Sequence, residues 1–188
     1  MGKNDDRVCP MSRAKSLDTR FRRWWQNPDK ILCPYIKEGM TVLDVGCGPG
    51  FFTIDMAEMV GESGRIIACD LQQGMLDMLR QKIQGTELES RITLQLCMED
   101  SINVTKQVEF VLAFYLVHEV PDQQQFFREV GAILSEGGKI LVVEPPLHVS
   151  KKAFNETIRI AQATGFMPIE KPKLLFSKAV VFVKSGPA

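Results

Sequence analysis

No stretch of this chain stays apolar long enough to cross a membrane. The longest such run, FVLAFYLV at 110–117, is far short of the roughly 20 residues a membrane helix needs. The opening MGKNDDRVCP has no apolar core of the kind a secretory signal carries, and Asp6 stands where a myristoylation signal needs Ser or Thr. There is no CxxC pair. The 5 cysteines are an odd number in wide spacing, which excludes a disulfide framework and a zinc knuckle and implies a reducing cytoplasm, with no metal expected. Net charge is also absent: 23 basic and 23 acidic side chains cancel, so nothing draws the whole chain to nucleic acid or to an anionic membrane. The local exception is the basic, aromatic RFRRWW at 20–25. Repeats and low-complexity segments are missing as well.

What is present suits one domain. The 188 residues are 45% hydrophobic and 24% charged, ordinary for a globular protein with a real core. From Thr41 onward short apolar runs alternate with helical patterns. Strands are expected at 41–46, 65–70, 92–97, 109–117 and 139–145, and helices at 51–60, 73–84, 122–135 and 151–164. The unbroken apolar character of the fourth and fifth strands predicts burial on both faces, as in a parallel sheet covered by helices. Asn27 followed by Pro28 reads as a helix start, and Pro34 keeps that helix short. SEGGK at 135–139 reads as a helix stop and turn, and after Gly165 two strands follow with no helix between them. The expectation is an α/β doubly wound, Rossmann-like seven-stranded sheet, mostly parallel with an antiparallel C-terminal strand and helices on both faces. It divides into an arm or lid at 1–26, an α/β core at 27–165 and a closing hairpin at 166–188. Ligands of such sheets lie outside the carboxyl ends of the strands, where strand order reverses.

That is where TVLDVGCGPGFFT (41–53) places three glycines within five positions. Gly46, Gly48 and Gly50 permit positive φ and let a ligand approach bare backbone, next to a helix start that favours a carboxylate or phosphate; a merely tight turn is the alternative. A dinucleotide fingerprint GxGxxG would need a third glycine where Phe51 stands, and no GxxxxGK[ST] phosphate loop is present, so nicotinamide chemistry is disfavoured. Asp70 ends the second strand 20 residues beyond Gly50, where a carboxylate can accept from both hydroxyls of a ribose or else cap the helix that follows.

VLDVGCGPG resembles the first motif of the class I S-adenosylmethionine-dependent methyltransferases, and the resemblance extends over about residues 27–150. It implies S-adenosyl-L-methionine as cofactor, S-adenosyl-L-homocysteine as product, and a methyltransferase acting on a small-molecule acceptor. A non-catalytic cofactor-binding protein is the alternative. By this resemblance Asp44 and the Gly46 carbonyl orient the ammonium of the methionine moiety. The loop amides near Gly48 to Phe51, Gly50 included, receive its carboxylate, Cys47 and Pro49 belong to the same cofactor-binding turn, Asp70 holds the ribose, and Leu71 packs on the adenine. QLCMED puts Cys97 where the family often has an acid, so the Met98 backbone and Glu99 are expected at the adenine edge. LAFYLVHEVPD, including Phe114, is expected to close over the methionine part.

Removing a proton from the acceptor would fall to His118, whose unperturbed pKa lies near neutrality, with Tyr115 and Glu119 close enough to assist; a capping or space-filling histidine is the alternative. His148 is a lesser candidate, and Arg23, Trp24 and Trp25 are a possible lid. EPPL at 144–147 resembles the [DN]PP[YFW] motif of amide and adenine methylating enzymes, but it follows the fifth strand rather than the fourth and lacks the aromatic residue. Cys47, Cys69 and Cys97 end three neighbouring strands. They read either as small residues lining the adenosine crevice or as a thiol site for a soft metalloid.

Overall fold

The computed structural model describes residues 26–185. All but Gln26 of the expected arm, with Arg23, Trp24, Trp25 and the basic patch, lies outside the described residues. The elements in order are α1 (Pro28–Leu32), β1 (Thr41–Val45), α2 (Thr53–Met59), β2 (Arg65–Asp70), α3 (Gln73–Ile83), β3 (Ile92–Leu96), β4 (Val108–Phe114), α4 (Gln123–Ile133), β5 (Leu134–Glu144), α5 (Lys151–Ala163), β6 (Phe166–Glu170) and β7 (Lys178–Lys184). Helix starts follow local chemistry. The side chains of Asn27, Asp122 and Ser150 accept the amides of Lys30, Gln125 and Ala153 at 3.1, 2.9 and 3.0 Å, satisfying donors that the first helical turn leaves unpaired.

The strands form one seven-stranded sheet in the order β3-β2-β1-β4-β5-β7-β6. β1 to β5 pair in parallel, β7 is antiparallel to both of its neighbours, and β6 therefore runs with the first five. Alternate residues of each central strand serve opposite faces. Val42, Ile66, Phe110, Leu112 and Leu141 pack with Leu32, Met56 and Leu79 of α1, α2 and α3. Leu43, Ile67, Val111, Ile140 and Phe182 pack with Phe127, Val130 and Phe154 of α4 and α5. Burying a side chain of this size contributes about 1.5–3 kcal/mol, so two filled faces explain why the central strands are apolar at most positions.

Two boundaries differ from the sequence reading. β4 ends at Phe114 instead of 117, because Tyr115 takes φ 59°, its N–H donates to the Val143 carbonyl at 2.7 Å, and Val117–Glu119 coil into a 3₁₀ turn. The expected turn at 135–139 is an excursion within β5: Leu134 pairs with Val108 and Lys139 with Phe110, leaving residues 135–138 opposite Glu109, with Gly137 at φ 71°. The order reverses between β1 and β4, and the site opens at the carboxyl ends of these strands.

Candidate active site

A crevice of about 850 Å³ lies over those strand ends, within the size range of cofactor sites. Its near wall is the glycine turn. Gly46, Gly48 and Gly50 all take positive φ (71°, 54° and 87°), but for different reasons. A Cβ on Gly46 would meet Leu116 Cδ1 at 2.8 Å, and one on Gly50 would collide with Leu79 of α3, so both glycines allow close packing. Only Gly48 faces open space, with nothing within 4 Å of its missing Cβ. Gly50 is thus turned away from the crevice, whereas Cys47, Gly48, Pro49 and Phe51 line it. Phe51 is buried, in edge contact with Phe52 at 4.8 Å; the aromatic series continues from Phe52 to Phe114 (4.4 Å) and Tyr115 (4.5 Å).

The turn satisfies several of its own donors. Gly46 and Cys47 donate to the Cys69 carbonyl at 2.8 and 3.0 Å, Gly50 donates to the Cys47 carbonyl at 3.1 Å, and Pro49 has no N–H. Gly48 donates to Asp70 Oδ2 at 2.8 Å. The amides of Gly48 and Gly50, expected to receive a ligand carboxylate, are therefore engaged within the protein.

Asp70 meets the capping expectation made for it, and it lines the crevice. Its Oδ1 accepts from the Gln72 N–H at 2.9 Å, organising the start of α3, where Gln72 itself supplies no side-chain cap. Burial raises the Asp70 carboxyl above its usual value, against the lowering effect of the Gln72, Gly48 and Leu71 amides. Deeper in the crevice Asp44 is 3% exposed and accepts from Thr53 Oγ1 at 2.6 Å, which fixes the carboxylate. Leu71, Met98 and Glu99 line the outer edge. The Met98 backbone is not free to read a ligand: its N–H donates to Ser101 and its carbonyl accepts from Ser101. Its side chain, 62% exposed, is what it presents.

The far wall carries a histidine–carboxylate pair. His118 Nδ1 lies 2.6 Å from Glu144 Oε2, and the His118 N–H donates to Glu144 Oε1 at 3.0 Å. Glu144 is fully buried at the end of β5, so the ring is held by a carboxylate that water does not reach. Its Nε2 is 3.9 Å from Glu119 Oε1, and both side chains line the crevice. Burial lowers the His118 pKa, but the Glu144 hydrogen bond and the charges of Glu144 and Glu119 raise it by more, and the net direction is upward. Tyr115, beside Phe114, turns its hydroxyl outward to Gln26 Nε2 and Ser177 Oγ, both at 2.7 Å. His148 lines the same space.

Residues 42–138, more than half of the chain, match the family described as methyltransferase domain. The chain belongs to the class I S-adenosylmethionine-dependent methyltransferases. The demethylmenaquinone methyltransferase of Lactobacillus johnsonii is 34% identical to this methyltransferase chain over 110 residues, 58% of this chain and 45% of that protein. A namesake from Bacillus cereus is 28% identical over 130 residues, 66% and 52% of the two chains. The chain thus spans about half the length of these curated relatives. A crystal structure of an S-adenosylmethionine-dependent methyltransferase from Aquifex aeolicus superposes with a TM-score of 0.83 at 25% identity, covering 93% of this chain and 98% of that one. The fold is shared also with Aeropyrum pernix fibrillarin in complex with S-adenosylmethionine, TM-score 0.63 at 16% identity over 78% and 67% of the two chains.

The crevice of this methyltransferase suits that cofactor on its own chemistry. Seven carboxylate residues line it, among them Asp44, Asp70, Glu99 and Glu119, and no lysine or arginine among the described residues does. A donor carrying both a sulfonium and an ammonium meets charge of the opposite sign, and Gly48 leaves room for its tail.

Sequence reasoning missed Glu144. The signal was an acid closing an otherwise apolar strand at the ligand end of the sheet. Cys69 and Cys97 meet: a hydrogen bond between them, then burial, push the Cys69 thiol well up, and burial does the same to Cys47. Among the described residues no group of three His, Cys, Asp or Glu is arranged for a metal.

Proposed function

We propose that the protein transfers a methyl group from S-adenosylmethionine to a small-molecule acceptor, with His118 as the base that takes the acceptor's proton. The observation that carries this reading is the His118–Glu144 pair facing, across one crevice, the glycine turn and Asp70. Asp44 and the Gly46 carbonyl would hold the ammonium, Asp70 the ribose hydroxyls, and Leu71, Cys97 and Met98 the adenine side. The bound cofactor supplies a methyl carbon already activated by the adjacent positive sulfur. The protein's work is positioning and exclusion of water.

His118 is organised for proton transfer. With Nδ1–H donated to Glu144, Nε2 carries the lone pair and faces the crevice, and the buried carboxylate stabilises the imidazolium that forms. Glu144 positions the ring and does not itself touch the acceptor. The name shared by the relatives, demethylmenaquinone methyltransferase, supports an acceptor that is a small molecule. Incubation with methyl-tritiated S-adenosylmethionine and a metabolite extract tests the proposal. Label is expected in a low-molecular-weight product, and His118→Ala abolishes it while S-adenosylhomocysteine still binds. Cofactor binding without transfer to any fraction would show a binding protein instead.

A further inference from the structure

A second cavity, of about 290 Å³, lies beside the crevice and differs from it in charge. Its described lining includes Ile31, Phe114, Leu174 and Leu175 as apolar wall, Ser177 and Gln26 as neutral polar groups, and Lys30 and Lys173 as its charges. Among the described residues no carboxylate lines it, and none pairs with either ammonium. Phe114 borders both spaces. Tyr115 lies on the same border: it lines the crevice, and its hydroxyl ends on Gln26 and Ser177 of the small cavity. Tyr115 holds left-handed backbone at this boundary, φ 59°, and Phe176, between the lining residues Leu175 and Ser177 of the small cavity, does so at φ 56°. Bulky side chains adopt that conformation at a cost and persist in it where the surroundings impose it, often at ligand clamps.

We propose that this cavity binds the anionic end, a carboxylate or phosphate, of a methyl acceptor whose apolar body reaches past Phe114 and Tyr115 to the crevice. The inference rests on the methyltransferase reading and adds the class of acceptor. The charge arrangement argues for it. A crevice lined with carboxylates disfavours a further anion, and the adjoining space, bordered by the same Phe114, carries Lys30 and Lys173 instead. An acceptor that is negative at one end and neutral at its reacting end is thereby oriented, with the reacting atom on the side of His118. The apolar wall and the modest volume suit a flat hydrocarbon attachment to the charged group.

Calorimetric titration of the full chain, saturated with S-adenosylhomocysteine, tests this with three probes of one shape: 1-naphthoate, 1-naphthyl phosphate and neutral 1-naphthol. At least one anion is expected to bind tenfold or more tightly than 1-naphthol, and its affinity is expected to fall as salt rises. In the double variant Lys30→Gln, Lys173→Gln that anion weakens about tenfold (about 1.4 kcal/mol), while 1-naphthol and S-adenosylhomocysteine are unchanged. Retained binding of S-adenosylhomocysteine also reports that the variant is folded. Equal binding of all three probes, no binding of either anion, or an anion affinity indifferent to the double substitution overturns the proposal and leaves the methyltransferase reading standing. Failure of the unmodified protein to bind S-adenosylhomocysteine overturns both.

Discussion

Gly48 and Gly50 are two residues apart, share a positive φ and answer to different neighbours, so an added methyl separates packing from ligand binding. Gly50→Ala drives a Cβ into Leu79 as well as straining φ, and is expected to cost about 2–3 kcal/mol of stability, read as a lowered denaturant midpoint. Gly48→Ala meets only open space; it costs about 1 kcal/mol through φ and weakens S-adenosylhomocysteine at least tenfold in a titration. The same residues show what was legible. A GxGxG turn with an acid 20 residues on announces the crevice, because main-chain freedom and a strand-end carboxylate are local properties of the sequence. Which amides remain available was not legible, since Gly48 donates to Asp70 across 22 residues. Nor was the partner of His118, 26 positions away inside an apolar run, visible before the β4–β5 pairing brought Glu144 beside it. That pairing predicts a pH effect. A base held above its ordinary pKa loses its proton at higher pH, so the acid limb of the activity profile of Glu144→Gln moves to lower pH and its maximal rate falls. For stability the sign is opposite. A histidine with a raised folded pKa contributes stabilisation that is complete below about pH 6.5 and is lost as pH rises through the folded value; urea unfolding across that window should show a slope in the unmodified protein that Glu144→Gln flattens.

At the scale of elements, the helices were legible through period and caps, and their ends were set by what they meet. α5 is capped by Ser150, whose hydroxyl receives the Ala153 amide, and Ser150 itself does not line the crevice. Ser150→Ala is expected to remove about 1 kcal/mol of stability, lowering Tm by roughly 2–4 °C in calorimetry, with affinity for S-adenosylhomocysteine unchanged. β4 was read three residues too long because FVLAFYLV is apolar throughout, whether its residues lie in the sheet or over a 3₁₀ turn. Hydrophobicity reports burial there and is silent on Tyr115's backbone conformation. The departure from the sheet at Tyr115 matters for the site, since it carries His118 back over the strand ends to the carboxylate.

For the whole molecule, the parallel sheet and its reversal between β1 and β4 followed from alternating strands and helices, and the order of the last two strands did not. Ligand binding should also be felt globally. S-adenosylhomocysteine at 100 times its Kd is expected to stabilise the fold by about 2.7 kcal/mol, visible as a thermal shift, whereas NAD produces none. Acidification should reverse the shift as Asp70, whose carboxyl is raised by burial, takes up its proton and can accept one hydrogen bond fewer from the ribose.

β7, residues 178–184, lies between β5 and β6 in the interior of the sheet rather than at its rim. During synthesis that slot stays vacant until almost all of the described chain has left the ribosome, and β6 has no strand to pair with meanwhile. A nascent chain stalled before Lys178 should therefore remain open to protease along β5, and emergence of residues 178–184 should act as the latch that ends that exposure.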